Sequence, residues 1–270
     1  MNKKIFILVA FALLQHTLHA AITDTVETYS PSMKKNIKAV VIRPDNYNKL
    51  NELPVVYLLH GYSGNYSNWA VKGVGYLADR YDLMIVCTDG NYDSWYWDSP
   101  IDPSYRYETY IATELVNWID SKYKTIKDKK GRAITGLSMG GHGALYLAFK
   151  HQDIFGAAGS MSGGVDIRPF PNSWNMDKRL GSYAEHPERW EKHNVINLLY
   201  LLTPKSLALI IDCGTEDFFY QVNKNLHEQL LYRNIPHEYI ARPGSHNWAY
   251  WTNAVQYQML FMHHFFENKQ

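Results

Sequence analysis

Seven short runs dominate the chain: "KAVVIRP" (38–44), "PVVYLLHG" (54–61), "LMIVCTDG" (83–90), "RAITGLS" (132–138), "GAAGSMSG" (156–163), "LALIIDCG" (207–214) and "HEYIARPG" (237–244). Several are continuously apolar rather than alternating, the pattern of strands covered on both faces. Segments with helical spacing lie between them, at 107–123, 139–151, 219–234 and 247–266. Strands alternating with helices predict an α/β fold with a mostly parallel central sheet and helices on both faces. Ligands on such sheets bind beyond the carboxyl ends of the strands, so the residues that follow each run matter most. Residues 164–204 break the rhythm with prolines, tryptophans and charges, and read as an insertion over that edge within a single domain of residues 22–270.

The run at 132–138 leads into "ITGLSMGGHGALYLAF" (134–149), with glycines at 136, 140, 141 and 143 around one serine. Glycine weakens strand and helix interiors, so this clustering implies a backbone geometry that side chains would obstruct. "GLSMG" is a G-x-S-x-G pentapeptide between a strand and a helix, where a sharp turn exposes the serine hydroxyl and glycines let strand and helix approach. Ser138 is the candidate nucleophile. A serine hydroxyl needs a base to take its proton and a third group to orient that base.

Of the twelve histidines, His246 in "RPGSHNWAYW" follows the last strand run and would hang over the same edge as Ser138. His60 suits a backbone-shaping role in its His-Gly turn, and His142 is expected to pack. "IIDCGTEDFFY" supplies the acid. Asp212 lies within the strand run and reads as structural, Asp217 at the far end of the loop is favoured, and Glu216 stays open. The order Ser138, Asp217, His246 is that of α/β-hydrolases and not of chymotrypsin or subtilisin. Acyl transfer also needs donors for the carbonyl oxygen as it becomes negative. The backbone N–H of Met139, and that of Tyr62 in "LLHGYSGNYSNW", are the candidates.

Charge and leader patterns set the context. Lys plus Arg number 27 against 26 for Asp plus Glu, with no long run of one sign, which argues against a nucleic-acid partner. Lys3 and Lys4 precede an apolar stretch from Ile5 to Leu14, followed by His19, Ala20 and Ala21. Residues 1–21 therefore read as a secretory signal peptide, too short in its apolar part for the roughly 20 residues that span a bilayer. Export to the periplasm or the extracellular space is expected, without stable membrane insertion after cleavage. Cys87 and Cys213 end separate apolar runs and are expected to be free thiols. The aromatic segment "NYDSWYWDS" (91–99) makes Trp95 and Trp97 candidate substrate contacts, and Trp174 and Trp190 of the insertion could stack on a phenolic ring or sugar.

Six motifs in order, "YLLHGYSGNYSNW", "TDGNYDSWYW", "YETYIATEL", "RAITGLSMGGHGALYLA", "CGTED" and "GSHNWAYW", make the chain from about residue 34 to 266 resemble the putative-esterase family of α/β-hydrolases. That family includes S-formylglutathione hydrolases, bacterial feruloyl and acetyl xylan esterases, and mycobacterial mycolyltransferases. The resemblance implies Asp217 as the acid, as in the feruloyl esterases, with Glu216 the choice of the mycolyltransferases. It implies Tyr62 and Met139 as oxyanion donors, and neither a metal nor a cofactor. The expected activity is hydrolysis of short-chain or carbohydrate-linked esters, acetyl or feruloyl, through an acyl-enzyme. An acyltransferase of the same fold and a catalytically silent glycan-binding protein are the alternatives, and the sequence leaves the oligomeric state open.

Overall fold

A computed structural model describes residues 20–267, so the leader segment lies outside the described residues except at its last positions. Eight strands form one sheet: β1 (Ile22–Ser30), β2 (Lys35–Arg43), β3 (Val55–Leu59), β4 (Met84–Thr88), β5 (Arg132–Gly136), β6 (Ala157–Met161), β7 (Ala208–Gly214) and β8 (Glu238–Arg242). Their order is β1-β2-β4-β3-β5-β6-β7-β8. β1 and β2 pair antiparallel with each other, and β2 pairs antiparallel with β4. Every pairing from β4 across to β8 is parallel.

The continuous apolar runs follow from burial on both faces. Successive side chains of a strand point to opposite faces. Val55, Tyr57 and Leu59 of β3 accordingly join one core cluster with Val86, Ile134 and the Met139–Lys150 helix. Val56 and Leu58 join the other, with Ile85, Ala133 and the helices Gly75–Tyr81 and Trp248–Glu267. Cys87 and Cys213 are buried free thiols.

All seven expected runs are strands, and β1 is an eighth. Its sequence, ITDTVETYS, buries only alternate positions over most of its length, because it is an edge strand with one face in solvent. The expected helix at 107–123 is interrupted by a π-helical turn at Tyr110–Leu115. The Tyr110 hydroxyl there shares hydrogen bonds with Thr28 Oγ1 of β1 (2.6 Å) and Thr88 Oγ1 of β4 (3.1 Å), which ties the helix to the antiparallel edge.

Residues 164–204 divide in two. The later part buries Trp190, Val195 and Leu199 in the same cluster as the Met139–Lys150 helix. The earlier part, around Phe170 to Arg179, turns toward the carboxyl ends of the strands, where Phe170 meets Phe219 edge-on at 5.1 Å.

Candidate active site

Ser138 follows β5 directly and has φ 55° and ψ −117°, a conformation that costs an L-residue about 1–3 kcal/mol and persists only where its surroundings enforce it. Those surroundings are glycines. A Cβ on Gly140 would lie 2.6 Å from the carbonyl oxygens of both Leu59 and His60, and one on Gly136 would lie 2.6 Å from the Gly140 oxygen. The strained turn therefore exists because strand, helix and the loop after β3 meet at backbone distance. The Ser138 N–H donates to Met161 O (2.8 Å) and its carbonyl accepts from the His142 N–H (3.0 Å).

The structure brings Ser138, His246 and Asp217 together from the ends of β5, β8 and β7. Asp217 Oδ2 lies 2.8 Å and Oδ1 3.0 Å from His246 Nδ1. A carboxylate only accepts, so Nδ1 carries the proton and Nε2 presents its lone pair. Ser138 Oγ, 2.9 Å away, donates to that lone pair. The Asp217 side chain is fully buried, and its Oδ1 also accepts from the Phe219 N–H (2.8 Å), which fixes the carboxylate plane. Glu216, its neighbour, is exposed and reaches only Ser245 Oγ, at 3.4 Å. Asp212 is buried and bonded to Arg242 Nη2 (2.5 Å) and the Tyr250 hydroxyl, the structural role expected of it.

The candidate oxyanion donors belong to backbone segments that adjoin Ser138. Met139 begins the helix, so its N–H has no intrahelical acceptor and lies at the positive end of the helix dipole. A Cβ on Gly61 would come within 3.4 Å of Ser138 Cβ, so the Gly61–Tyr62 backbone passes against the serine. His60 shapes that loop. Its Nδ1–H donates to Gly61 O (2.8 Å) and its Nε2 accepts from the Gly90 N–H (2.7 Å). Burial pushes its pKa down, so the ring stays neutral, as this pair of bonds requires.

Trp95 and Trp97 do not reach the site. Their side chains are buried, stacked on each other at 5.6 Å, and offer no face to a substrate. The segment turns into the core because glycines elsewhere leave slots for it. A Cβ at Gly143 would lie 2.4 Å from the Tyr96 ring, and one at Gly164 would lie 2.9 Å from Trp95. Trp97 Nε1–H donates to His142 Nε2 (2.8 Å), so His142 packs, as expected. Trp190 is likewise buried, leaving Trp174 as the tryptophan of that group with a partly exposed ring.

Two contacts were not foreseen. Phe218 lies against the His246 imidazole, ring centroids 4.2 Å apart, and Trp251 meets the imidazole edge-on at 4.8 Å. The adjacent aromatics in "EDFFY" were the available signal, since residues next to the candidate acid share its edge of the sheet. Among the described residues no group of three or more His, Cys, Asp or Glu side chains is gathered to hold a metal.

The sequence pattern of the family described as "Putative esterase" matches residues 30–262. The chain belongs to that family. It is a carboxylic ester hydrolase with the α/β-hydrolase fold. This esterase is 26% identical to an acetyl esterase of Caldicellulosiruptor saccharolyticus, over 85% of its own length and 94% of the relative's. It is 34% identical to the diacylglycerol acyltransferase/mycolyltransferase Ag85B of Mycobacterium leprae, over 74% and 72% of the two chains. Several other mycobacterial relatives match over less than half of their length. Among solved structures, a ferulic acid esterase superposes with a TM-score of 0.80 at 26% identity, covering 92% of this chain and 99% of the other.

Proposed function

We propose that the esterase works through an acyl-enzyme on Ser138, with His246 as the base and Asp217 as the group that holds and stabilises the imidazolium. The unbroken relay from Asp217 through His246 to Ser138, at 2.8 and 2.9 Å, is the observation that carries this reading. As Oγ attacks the ester carbonyl, Nε2 takes its proton, and the N–H groups of Met139 and Tyr62 receive the developing oxyanion. The imidazolium then protonates the departing alcohol. Water, activated by the same nitrogen, attacks the acyl-enzyme and releases the acid.

The proposed substrates are short acyl or feruloyl esters linked to carbohydrate. The names of the acetyl esterase and ferulic acid esterase relatives support this range. The charged, apolar and small-residue pattern of positions 1–21 supports export, and polysaccharide esters are substrates met outside the cytoplasm. Acyl transfer to an alcohol is the second reading, supported by the likeness to the mycolyltransferase. The test of the central reading is Ser138→Ala. It removes labelling by a fluorophosphonate probe and lowers p-nitrophenyl acetate turnover at least about a thousandfold, with the melting temperature kept. Wild-type turnover by this variant refutes the nucleophile. Product analysis with an added alcohol separates hydrolysis from transfer.

A further inference from the structure

Phe218 follows Asp217 directly, yet 51% of its surface is exposed. One face of its ring lies against the His246 imidazole, at 4.2 Å and a tilt of 37°. Trp174 stacks on Phe218 at 5.7 Å and 20°, and is itself supported by Phe170 (5.4 Å) and Phe219 (5.1 Å). Trp174 has φ 52° and Asn175 φ 56°, two successive left-handed residues that neither glycine nor a turn requirement in the sequence announces. The loop is held there from both directions. Trp95 Nε1–H points at Trp174 O (3.4 Å), and Asn175 Nδ2 donates to the Tyr62 hydroxyl (3.2 Å) and to Asp93 Oδ2 (3.1 Å).

Consecutive residues of the insertion thus touch both flanks of the reaction centre. Trp174 reaches the imidazole side through Phe218, and Asn175 reaches the oxyanion loop through Tyr62. The reaction itself says which part of an ester meets which flank. The carbonyl oxygen turns toward the Met139 and Tyr62 amides, whereas the departing oxygen must lie within hydrogen-bond reach of His246 Nε2 to receive its proton. Whatever is bonded to the departing oxygen is therefore carried next to the ring that covers the imidazole.

Resting on the acyl-enzyme reading above, we propose that Phe218, backed by Trp174, is a specificity-determining platform for the alcohol part of the ester, and that the alcohol it takes is a sugar ring. The half-exposed Phe218 ring, with the partly exposed Trp174 beside it, offers apolar aromatic surface to the C–H groups of a sugar, and the Asn175 amide oxygen and Tyr62 hydroxyl on the oxyanion flank fit the sugar's hydroxyl groups. No bond is made or broken at Phe218. It acts by holding the leaving group while Ser138 Oγ–C forms, the ester C–O bond breaks, and the proton passes from Nε2 to the sugar oxygen.

The test uses acetates, which share one acetyl-enzyme and hence one deacylation step, so that kcat/KM isolates acylation with the alcohol still attached. The substrates are a xylose monoacetate, ethyl acetate and p-nitrophenyl acetate. Phe218→Ala is expected to lower the ratio of kcat/KM for the xylose ester to that for the ethyl ester about tenfold, the effect of one lost stacking contact. Phe218→Tyr restores the ratio, and Phe218→Leu, apolar but without a flat ring, does not. Equal losses on all three esters overturn the proposal, because they mean that Phe218 only steadies His246. A loss confined to the p-nitrophenyl ester overturns the assignment to a sugar. Fluorophosphonate labelling of Ser138 is read in parallel. Its absence in the wild type marks failure of the acyl-enzyme reading, and its presence with an unchanged ratio marks failure of the platform alone.

Discussion

His142 makes the stability of the elbow depend on pH in a calculable way. Its ring is fully buried, between Trp97 edge-on at 5.3 Å and Tyr146 stacked at 5.8 Å. Nδ1–H donates to Gly164 O (2.9 Å), so Nε2 must stay unprotonated to accept from Trp97 Nε1–H (2.8 Å). A second proton would set two N–H groups against each other in a fully buried site. Burial, with the nearby His193 as a smaller contribution, accordingly pushes its pKa down to about 3, against the opposing effect of the Gly164 hydrogen bond.

The unfolded chain takes up this proton near pH 6.5 and the folded chain only near pH 3. Between these values the unfolded state binds more protons, so the stability due to neutral His142 is complete above about pH 6.5 and is lost as pH falls toward 3. Each pH unit in that window costs about 1.4 kcal/mol, so lowering the pH from 6.5 to 4.5 costs about 3 kcal/mol. His142→Gln is the matched control. Its amide can still donate and accept, but it does not titrate. Urea unfolding of both proteins at pH 7.5 and 4.5 gives a difference of differences, in which His60 and the surface carboxylates cancel. The variant is expected to lose about 3 kcal/mol less than the wild type over that interval. Parallel losses in the two proteins refute the reasoning.

Two further expectations bear on the relay and on the buried tryptophans. Asp217→Asn lowers kcat on p-nitrophenyl acetate about ten-thousandfold by favouring the wrong imidazole tautomer, whereas Glu216→Gln changes it less than about twofold; a larger effect at 216 than at 217 reverses the choice of acid. Trp97→Phe leaves the buried Nε2 of His142 without its donor and costs about 1–3 kcal/mol in urea unfolding, with KM for the same ester within about twofold. A tenfold rise in KM without loss of stability restores Trp97 as a substrate contact.

The sheet was legible where burial on both faces leaves an unbroken apolar signature, as in Val55–Leu59 and Met84–Thr88. β1 escaped because an edge strand with Thr23, Thr25, Glu27 and Tyr29 toward solvent carries half that signature. At the elbow, Gly136 and Gly140 announced a close approach that the structure contains, because glycines gathered around one serine would only weaken an ordinary strand or helix. The direction of Trp95 and Trp97 was not legible. It depends on slots left by Gly143 for Tyr96 and by Gly164 for Trp95, glycines remote in the chain that gave no local sign of their partners. Phe218 escaped for the opposite reason. Its neighbour Phe219 is buried, and adjacent aromatics give no indication of which one faces outward.

The parallel arrangement also explains why these particular strands can carry the relay. Ser138 follows β5 and Asp217 follows β7, with β6 between them, so two inter-strand spacings, about 9–10 Å, separate their strand axes. One imidazole with a hydrogen bond at each end suits a gap of that order, while neighbouring strands would crowd it and a third spacing would need another bridging group. The intervening strand must then end without obstructing the path. β6 does so in Ser162, Gly163 and Gly164, and its Met161 carbonyl takes the Ser138 N–H. A Cβ at Gly163 would meet Ser160 Oγ at 2.2 Å and the Gly141 backbone at 3.0 Å, so a side chain there would press on the helix that carries the elbow. The small residues closing β6 and the serine closing β5 are thus two parts of one geometric solution, in which the strand between the outer two ends in residues that leave the elbow helix its place and hold the Ser138 N–H.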